Sequence, residues 1–362
     1  MFYAWLYPLK DVSIFFNLFK YITVRSAGAA VTAFLITLWL GPKIINWLQR
    51  LNAVASNKRE HAEQIHTFYE KKDNIPTMGG VLVIASILIS MLFWGNFSNK
   101  YVLLSLLVLV WFGVVGFIDD YLKIRSSSSN GMAFYTKIIG QLLLGIGLGV
   151  YLYLDQGFGN GIYVPFFKNY YMYLGILIIP FILCVLLGTS NALNLTDGLD
   201  GLAIGSLVFS AGTFVLVCYV SGHATIAKYL GIPHLVYSSE LAVFCSAMVG
   251  ASVGFLWFNS YPATVFMGDT GSLSLGGALG VIAIFVKKEL LLLIVGGVFV
   301  WEALSVMIQV FSFKVFKKRV FKMSPFHHHL QLLGWPESKV TIRFWIVAFI
   351  LAIVGLSTLK IQ

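Results

Sequence analysis

The stretch from residue 101 to residue 123 reads YVLLSLLVLVWFGVVGFIDDYLK. Its first eighteen residues carry no charge, and a helix that crosses a bilayer needs about 20 consecutive, mostly apolar residues. This run therefore predicts a transmembrane helix. Two adjacent carboxylates, Asp119 and Asp120, end the run. Carboxylates at a membrane boundary are costly unless they are paired, solvated or bound to a metal, so this pair is a candidate functional site.

The whole chain has the same character. Of its 362 residues, 58% are hydrophobic and 11% are charged, whereas soluble domains have about 25% charged residues. This composition excludes a soluble enzyme. Apolar runs separate the basic clusters that give the net charge of +10, so no nucleic-acid partner is predicted. The three cysteines lie inside apolar runs and are expected to act as small hydrophobic residues, not as a disulfide or zinc framework.

Ten segments are long and apolar enough to predict an all-α polytopic membrane protein with ten transmembrane helices. They are Thr23–Leu48, Thr77–Trp94, Tyr101–Ile118, Met132–Leu154, Met172–Leu187, Leu202–Val220, Leu241–Phe258, Ser272–Val286, Leu290–Phe313 and Ile342–Leu359. The segment 1–21 lacks the features of a signal peptide and is expected to lie at the membrane interface. Residues 1–362 are thus expected to form one integral-membrane domain. No internal repeat is visible, which disfavours transporters built from repeated halves.

The lysine and arginine residues predict the orientation, because cytoplasmic loops are enriched in them. Loops after odd-numbered spans carry thirteen such residues, and loops after even-numbered spans carry five. The odd-numbered loops, including the loop 314–340, are therefore expected on the cytoplasmic side, with both termini on the outer side. Five aspartates lie at span ends on the same cytoplasmic side and are expected to form one site. They are Asp119, Asp120, Asp197, Asp200 and Asp269.

The adjacent carboxylates of Asp119 and Asp120 can bind two different partners, since neighbouring side chains on a helix point about 100° apart. One carboxylate could face a metal and the other a second substrate. The structural alternative is a solvated helix end in which Asp119 pairs with Lys123 at i,i+4. Acidic residues at a helix C-terminus oppose the helix dipole, so a compensating partner such as a cation is expected.

A second motif, in residues 191–202, has a polar residue at every third position. These residues are Asn191, Asn194, Asp197 and Asp200, and a glycine follows each aspartate. The spacing places amides and carboxylates along one side of a turn or short helix, where they suit a nucleobase edge, a ribose or a metal. The glycines let a ligand approach the backbone. A simple hydrophilic turn, the alternative, does not need such ordered spacing.

The third motif, Phe266 to Ser272, enters the eighth span with Asp269 near its start. Backbone N–H groups at a helix N-terminus attract phosphate. Asp269 is therefore either a helix cap or a ligand for a hard cation that bridges the phosphate. Asn259 and Phe266 lie nearby in sequence and could supply an amide and an aromatic face.

Three consecutive histidines, His327, His328 and His329, follow a basic stretch that runs from Lys314 to Lys322. Successive side chains diverge in a helix or strand, so the three rings are expected to donate to phosphate oxygens or transfer protons rather than share one metal. The basic stretch is more typical of a lipid-headgroup anchor.

Two further motifs have structural explanations. Residues 76–80, PTMGG, open the second span, where proline and early glycines suit a helix start and close packing. Glu302, Ser305 and Gln309 form a polar stripe on the ninth span, which favours hydrogen bonding between helices.

Together, carboxylates, lysines, histidines and a phosphate-binding helix start on one face indicate phosphate chemistry with a divalent cation. Mg²⁺ typically takes one or two carboxylates together with substrate phosphates and water. A site at the bilayer edge suits a reaction between a soluble substrate and a lipid.

In this order, the motifs resemble those of the polyprenyl-phosphate N-acetylhexosamine-1-phosphate transferases over nearly the whole chain. The resemblance is carried by Asp119-Asp120, by the Asn194, Asp197 and Asp200 segment, and by Asp269. Two stretches, HHHLQLLGWPE (residues 327–337) and PTMGG (residues 76–80), resemble the muramoyl branch of that family. Gln331 stands where many relatives have glutamate.

The resemblance implies transfer of phospho-MurNAc-pentapeptide from UDP-MurNAc-pentapeptide to undecaprenyl phosphate, with Mg²⁺ as cofactor, by a homodimer in the bacterial cytoplasmic membrane. It implies that Asp269 ligates Mg²⁺ and that Asp119, Asp120, Lys137 and His327 are catalytic. The substrate-binding residues that it implies are Lys72, Asn194, Asp197, Asp200, Asn259, Phe266, His328 and His329.

Two other functions stay open at this point. The first is a sibling enzyme that transfers GlcNAc-1-phosphate, which the histidine stretch disfavours. The second is a membrane transporter or lipid flippase. Transporters usually place binding groups near the midplane of the membrane, whereas here only Glu302 lies deep in a span and the other ionisable groups gather at one face.

Overall fold

A computed structural model describes residues 5–11, 13–51, 53, 75–126, 132, 134–164 and 170–360. Its α-helices are α1 (Ile22–Arg50), α2 (Gly80–Trp94), α3 (Lys100–Ser126), α4 (Phe134–Leu154), α5 (Ile178–Thr196), α6 (Leu202–Gly222), α7 (Ala224–Leu230), α8 (Ser238–Asn259), α9 (Gly268–Phe285), α10 (Glu289–Val295), α11 (Gly297–Phe316), α12 (Phe326–Leu332) and α13 (Glu337–Thr358). The shorter elements are 3₁₀ helices at Tyr7–Asp11, Ile14–Lys20 and Gly175–Leu177 and two antiparallel strands, β1 (Gly161–Tyr163) and β2 (Tyr171–Tyr173).

Within the described residues, nine helices are long and apolar enough to cross a membrane, and α2 is apolar but shorter. The protein is therefore an all-α, multi-pass membrane protein, as the hydropathy predicts. The described part of segment 1–21 forms two short 3₁₀ helices, and its location at the membrane interface stays a prediction. The three cysteines are free thiols.

Two predicted spans differ most from the helices of the structure. The segment Leu290–Phe313 is not one helix, because Gly296 separates α10 from α11, and paired glycines are common sites of helix breaks. The segment Met172–Leu187 is displaced, since Met172 belongs to β2 while α5 continues to Thr196. The asparagines of the second motif, Asn191 and Asn194, therefore lie on the last turns of a membrane helix and not in a loop.

Helix α9 forms the centre of the bundle. Every residue from Thr270 to Phe285 is buried, and α9 packs against α2, α3 and α5. A Cβ atom on Gly80 would lie 2.1 Å from the Gly271 nitrogen, and one on Gly116 would lie 2.2 Å from the Asp269 carbonyl oxygen. Backbones this close require glycine, and this packing brings the start of α9 against the last turns of α3.

The PTMGG motif joins the same region by backbone pairing. Phe266 N donates to the Pro76 carbonyl at 2.8 Å, and Gly79 N donates to the Phe266 carbonyl at 2.8 Å. Gly80 N donates to the Met267 carbonyl at 2.9 Å. The start of α2 is thus fixed beside the start of α9, which supports the structural explanation of the motif.

A second group of charges lies at the far end of α9. Lys287 Nζ donates to the carbonyl oxygens of Gly159 at 2.8 Å and Gly161 at 3.0 Å, and it lies 3.3 Å from the centroid of the Phe158 ring. Both carboxylate oxygens of Glu289 are buried without a hydrogen-bond donor among the described residues. We call Lys287, Lys288 and Glu289 the far-end cluster.

Candidate functional site

The candidate site is a cluster of three carboxylates where α3 meets the start of α9. One oxygen from each of Asp119, Asp120 and Asp269 lies within 4.8 Å of the others. Asp119 and Asp120 are nearly buried, each with 3% exposure. Three oxygen donors at this spacing form a set that hard divalent cations prefer, so the donor chemistry fits the predicted metal.

Asp120 holds the first turn of α9. Its Oδ1 accepts the Asp269 N–H at 3.1 Å, and its Oδ2 accepts the Thr270 N–H at 2.9 Å and the Thr270 hydroxyl at 2.7 Å. The first N–H groups of a helix have no partner inside the helix, so a carboxylate from α3 caps α9 from outside. Asp119 and Asp120 have different hydrogen-bond partners, but both contribute an oxygen to the same cluster.

Two lysines offset part of the negative charge of the cluster. Lys123 Nζ lies 2.5 Å from Asp119 Oδ2 and 3.0 Å from Asp269 Oδ2, and Lys137 Nζ lies 2.7 Å from Asp269 Oδ2. The i,i+4 pair of Asp119 and Lys123 is therefore real, but it forms part of the cluster and not a solvated helix end. Lys123 was not predicted as a site residue, although its spacing from Asp119 signals the contact.

Asn194 brings α5 to the same point. Its Nδ2 donates to Asp269 Oδ1 at 2.7 Å and to Ser272 Oγ at 2.8 Å. Asn191, one turn earlier, donates instead to Gln141 Oε1 on α4 at 3.0 Å. Of the two asparagines on this face, only Asn194 contacts the carboxylate cluster directly.

The loop after α5 adds further carboxylates. Asp197 accepts a backbone hydrogen bond from Gly268, and burial beside Asp269, Asp120 and Asp200 raises its pKa to about 8. Asp200 Oδ2 accepts the Ala263 N–H at 2.9 Å. Asp197 is thus electrostatically coupled to the cluster, while Asp200 holds the 259–265 segment.

Asn259 also binds backbone groups. Its Oδ1 accepts the Gly201 N–H at 3.1 Å, and its Nδ2 donates to the Val265 carbonyl at 2.8 Å. The amide therefore joins the loop after α5 to the segment that leads into Phe266. Phe266 is half-buried and precedes α9. Lys72 lies outside the described residues.

The three histidine rings have three different partners. His327 Nδ1 lies 3.1 Å from Glu302 Oε2, and the His327 N–H donates to Glu302 Oε1 at 3.2 Å. His328 Nδ1 lies 2.9 Å from Gln331 Oε1, and His329 Nδ1 accepts the Lys322 N–H at 3.1 Å. The rings of His327 and His328 nevertheless lie in contact, with centroids 4.2 Å apart, so the prediction that successive rings diverge is wrong for this pair.

His327 is the histidine that reaches the loop of Asp197. It is fully buried, and a Cβ atom on Gly198 would lie 2.2 Å from its Nε2. Glu302 therefore fixes this ring against the loop. The sequence favoured a helix-packing role for Glu302, but an acidic residue deep in an apolar span is by itself a signal of function.

Comparison with known proteins identifies the family of this chain. The profile of glycosyl transferase family 4 matches residues 101–287, a range that contains the three carboxylates, both lysines and Asn194. The match covers more than half of the chain and identifies it as a member of that family of glycosyl transferases.

Full-length relatives narrow the assignment. The phospho-N-acetylmuramoyl-pentapeptide-transferases of Geobacter sp. (strain M21) and Citrifermentans bemidjiense are each 49% identical to this chain over 362 residues, which is 100% of both chains. That of Desulfotalea psychrophila is 49% identical over 363 residues, again 100% of each chain. The chain belongs to the phospho-N-acetylmuramoyl-pentapeptide-transferase family.

Proposed function

We propose that this protein transfers phospho-MurNAc-pentapeptide from UDP-MurNAc-pentapeptide to undecaprenyl phosphate, giving lipid I and UMP in the first membrane step of peptidoglycan synthesis. A lipid phosphate oxygen bonds to the sugar-linked phosphorus of the donor. The bond from that phosphorus to the bridging oxygen breaks, and UMP leaves with the electron pair. Identity of 49% along the whole chain with transferases of that name supports this reaction.

The observation that carries the proposal is the carboxylate and lysine cluster at one end of a membrane bundle. Phosphoryl transfer needs mainly positioning and charge neutralisation. A lipid phosphate lies at the membrane surface, where a soluble nucleotide also arrives. A cluster at a helix end can therefore meet both substrates.

The cofactor is proposed to be Mg²⁺. Asp119, Asp120 and Asp269 supply only oxygen donors, and Mg²⁺ prefers a few carboxylates completed by phosphate and water. Asp269 is proposed as the metal ligand. When bound, Mg²⁺ supplies positive charge that stabilises phosphate oxygens and the departing UMP. Lys137 and Lys123 add fixed positive charge at Asp269.

We propose direct attack by the lipid phosphate, oriented or deprotonated by a carboxylate of the Asp119-Asp120 pair. The contacts favour Asp119, because only its Oδ1 binds a backbone N–H, that of Met132, and its Oδ2 is paired with the Lys123 side chain. Asp120 instead uses both oxygens to hold the start of α9. In the competing two-step route, one of these aspartates attacks the donor first and carries the phosphosugar. Incubation with labelled donor but without lipid distinguishes the routes, since an adduct trapped on Asp119 or Asp120 would exclude direct attack.

His327 is proposed to move or hold a proton near the Asp197 loop, with Glu302 orienting its ring. Donor binding is proposed for Lys72, Asn194, Asp197 and Phe266, with Phe266 stacking on uracil, and for His328 and His329. Asp200 and Asn259 support donor binding through the backbone that they hold.

We propose ten spans, with α2 as the tenth, both termini outside and the site on the cytoplasmic side of the inner membrane. The thirteen-to-five distribution of basic residues supports this orientation. Single cysteines at exposed Lys318 and exposed Tyr229, in a chain whose native cysteines are replaced, provide the test. In intact spheroplasts an impermeant thiol reagent should label position 229 and spare position 318, and the reverse pattern would invert the proposal.

The transfer reaction is tested with purified protein, polyprenyl phosphate and Mg²⁺. UMP release from UDP-MurNAc-pentapeptide, but not from UDP-GlcNAc, is the expected result. Release from UDP-GlcNAc alone would identify the sibling GlcNAc-1-phosphate transferase, and release from neither donor would favour a transporter or flippase.

The proposal that the protein forms a homodimer rests on family resemblance alone. The mass of the detergent-solubilised protein tests it.

A further inference from the structure

Helix α13 presents three hydrogen-bonding side chains to one short turn. Glu337, Thr341 and Trp345 are spaced four residues apart, which places them on one face of the helix. Glu337 Oε1 accepts the Asp200 N–H at 2.8 Å, and Thr341 Oγ1 donates to the Asp200 carbonyl at 3.2 Å. Trp345 Nε1 donates to the Gly201 carbonyl at 3.0 Å. Three successive turns of α13 thus bind the same two residues.

The turn is closed from its other side by Asn259, whose Oδ1 accepts the Gly201 N–H at 3.1 Å. Each N–H and each carbonyl of Asp200 and Gly201 is therefore bound by a side chain. Hydrogen bonds among these backbone groups alone would leave several of them without partners, and buried backbone groups are nearly always paired. The side chains thus determine where this turn lies.

Steric fit reinforces the hydrogen bonds. Gly201 has φ +72°, a conformation that favours glycine. A Cβ atom on Gly201 would lie 3.3 Å from Trp345 Cζ2, and one on Gly205 would lie 2.2 Å from Trp345 Nε1. The indole ring of Trp345 therefore lies directly on the backbone of the turn and of the first residues of α6.

The same loop carries Asp197 and Gly198, which contact the proposed active site. Asp197 accepts the Gly268 N–H beside Asp269, and Gly198 lies against the His327 ring. Only one residue, Leu199, separates Gly198 from Asp200. A displacement of the Asp200–Gly201 turn therefore moves Asp197 relative to the carboxylate cluster.

We infer that Glu337, Thr341 and Trp345 of α13 are positioning residues that place the Asp197 loop for the nucleotide-sugar donor. The inference rests on the proposed transfer reaction and deepens it. A reacting group displaced by about 1 Å can lose a large part of its rate advantage. The three side chains contribute by preorganising the loop that carries Asp197.

The kinetic test compares four variants with a control. Thr341→Val and Trp345→Phe each remove one hydrogen-bond donor and keep most of the shape. Each should lower kcat/KM for the donor roughly fivefold, the effect of about 1 kcal/mol from one lost hydrogen bond, while KM for polyprenyl phosphate stays unchanged. Glu337→Leu should behave likewise, and Glu337→Gln, which retains an acceptor oxygen, should restore activity. Ile346→Val, at an exposed position of α13, is the control and should match the wild type.

Amide hydrogen exchange measures how well ordered the Asp197 loop is, and it does not require turnover. In the full-length protein in nanodiscs, peptides covering residues 197–205 should exchange faster in Thr341→Val and Trp345→Phe than in the wild type and Ile346→Val. Peptides from α9 should be unaffected. Unchanged exchange in the loop, or equal losses for both substrates with a lower melting temperature, would overturn the inference. Absence of UMP release from the wild type would overturn the proposed function instead and leave the exchange result interpretable.

Discussion

The two ends of α9 both carry nearly buried charges, but their partners differ. At the start, Asp269 contacts the side chains of Lys123, Lys137 and Asn194, which come from three other helices. At the far end, Lys287 binds two backbone carbonyls and a phenyl ring. Side-chain partners can be exchanged for a ligand without unfolding, whereas a charge that binds backbone holds a loop in place. The partners of Asp269 and of Lys287, more than the burial of either residue, distinguish the two ends of α9.

The largest effect is expected at the start of α9. Asp269→Asn keeps the size of the side chain but removes the charge that faces both lysines and the proposed metal. UMP release should fall about 1,000-fold, near the upper range for loss of one electrostatic group in an active site, with a small change in melting temperature. Near-normal turnover would show that Asp269 is not a metal ligand. The two ends of α9 would then not differ in their importance for the reaction.

A smaller effect is expected where the Asp197 loop meets His327. Gly198→Ala places a methyl group where the His327 ring lies, so ring and loop must separate. The transfer rate should fall roughly 10- to 100-fold, as expected when reacting groups are misplaced by about 1 Å. Gly188→Ala provides the control, because a Cβ atom on Gly188 of α5 meets no atom within 4 Å. Equal activity of the two variants would show that the His327 contact does not matter.

Substitution in the far-end cluster should lower the stability of the protein and leave the transfer rate nearly unchanged. Lys287→Met keeps the aliphatic length but loses both hydrogen bonds to the 159–161 backbone. The free energy of unfolding should fall by about 1–3 kcal/mol, measured by thermal denaturation in detergent, while the transfer rate stays within about twofold of the wild type. A large loss of transfer at unchanged stability would contradict the structural role.

The smallest effect concerns the pH dependence of stability. Burial raises the pKa of Glu289 to about 7, and Lys287 and Lys288 offset part of that rise. Between the pKa of the unfolded state, about 4.5, and pH 7, the folded state binds more protons, so stability should fall as pH rises through this window. In Glu289→Gln the contribution of Glu289 to this fall should disappear, so melting curves recorded between pH 5 and pH 8 should show a smaller fall than the wild type, while the contribution of Asp197, whose pKa is also raised, stays. Parallel curves for variant and wild type would show that Glu289 does not titrate in this range.

Hydropathy predicted the helical membrane fold because each span is a continuous stretch of about twenty mostly apolar residues. It misplaced the start of α5 and missed the break at Gly296, since an average over a window does not locate helix ends. The carboxylate cluster was predictable because charges are scarce and gather at span ends. The contacts of Glu302 with His327 and of α13 with Asp200 link residues 25 and 137 apart. No local pattern records such pairs, so only the packing of the helices reveals them.

The cap that Asp120 forms on α9 also has a consequence for biosynthesis. Asp120 and Thr270 are 150 residues apart, and a ribosome that adds about 5–20 residues per second needs about 8 to 30 s to cover that distance. During this interval α3 exists without the N–H groups that its carboxylate binds in the finished protein. A nascent chain that stalls before residue 269 therefore already contains several membrane helices but lacks the complete carboxylate cluster, and the Asp120 carboxylate needs other partners, such as water, until α9 emerges.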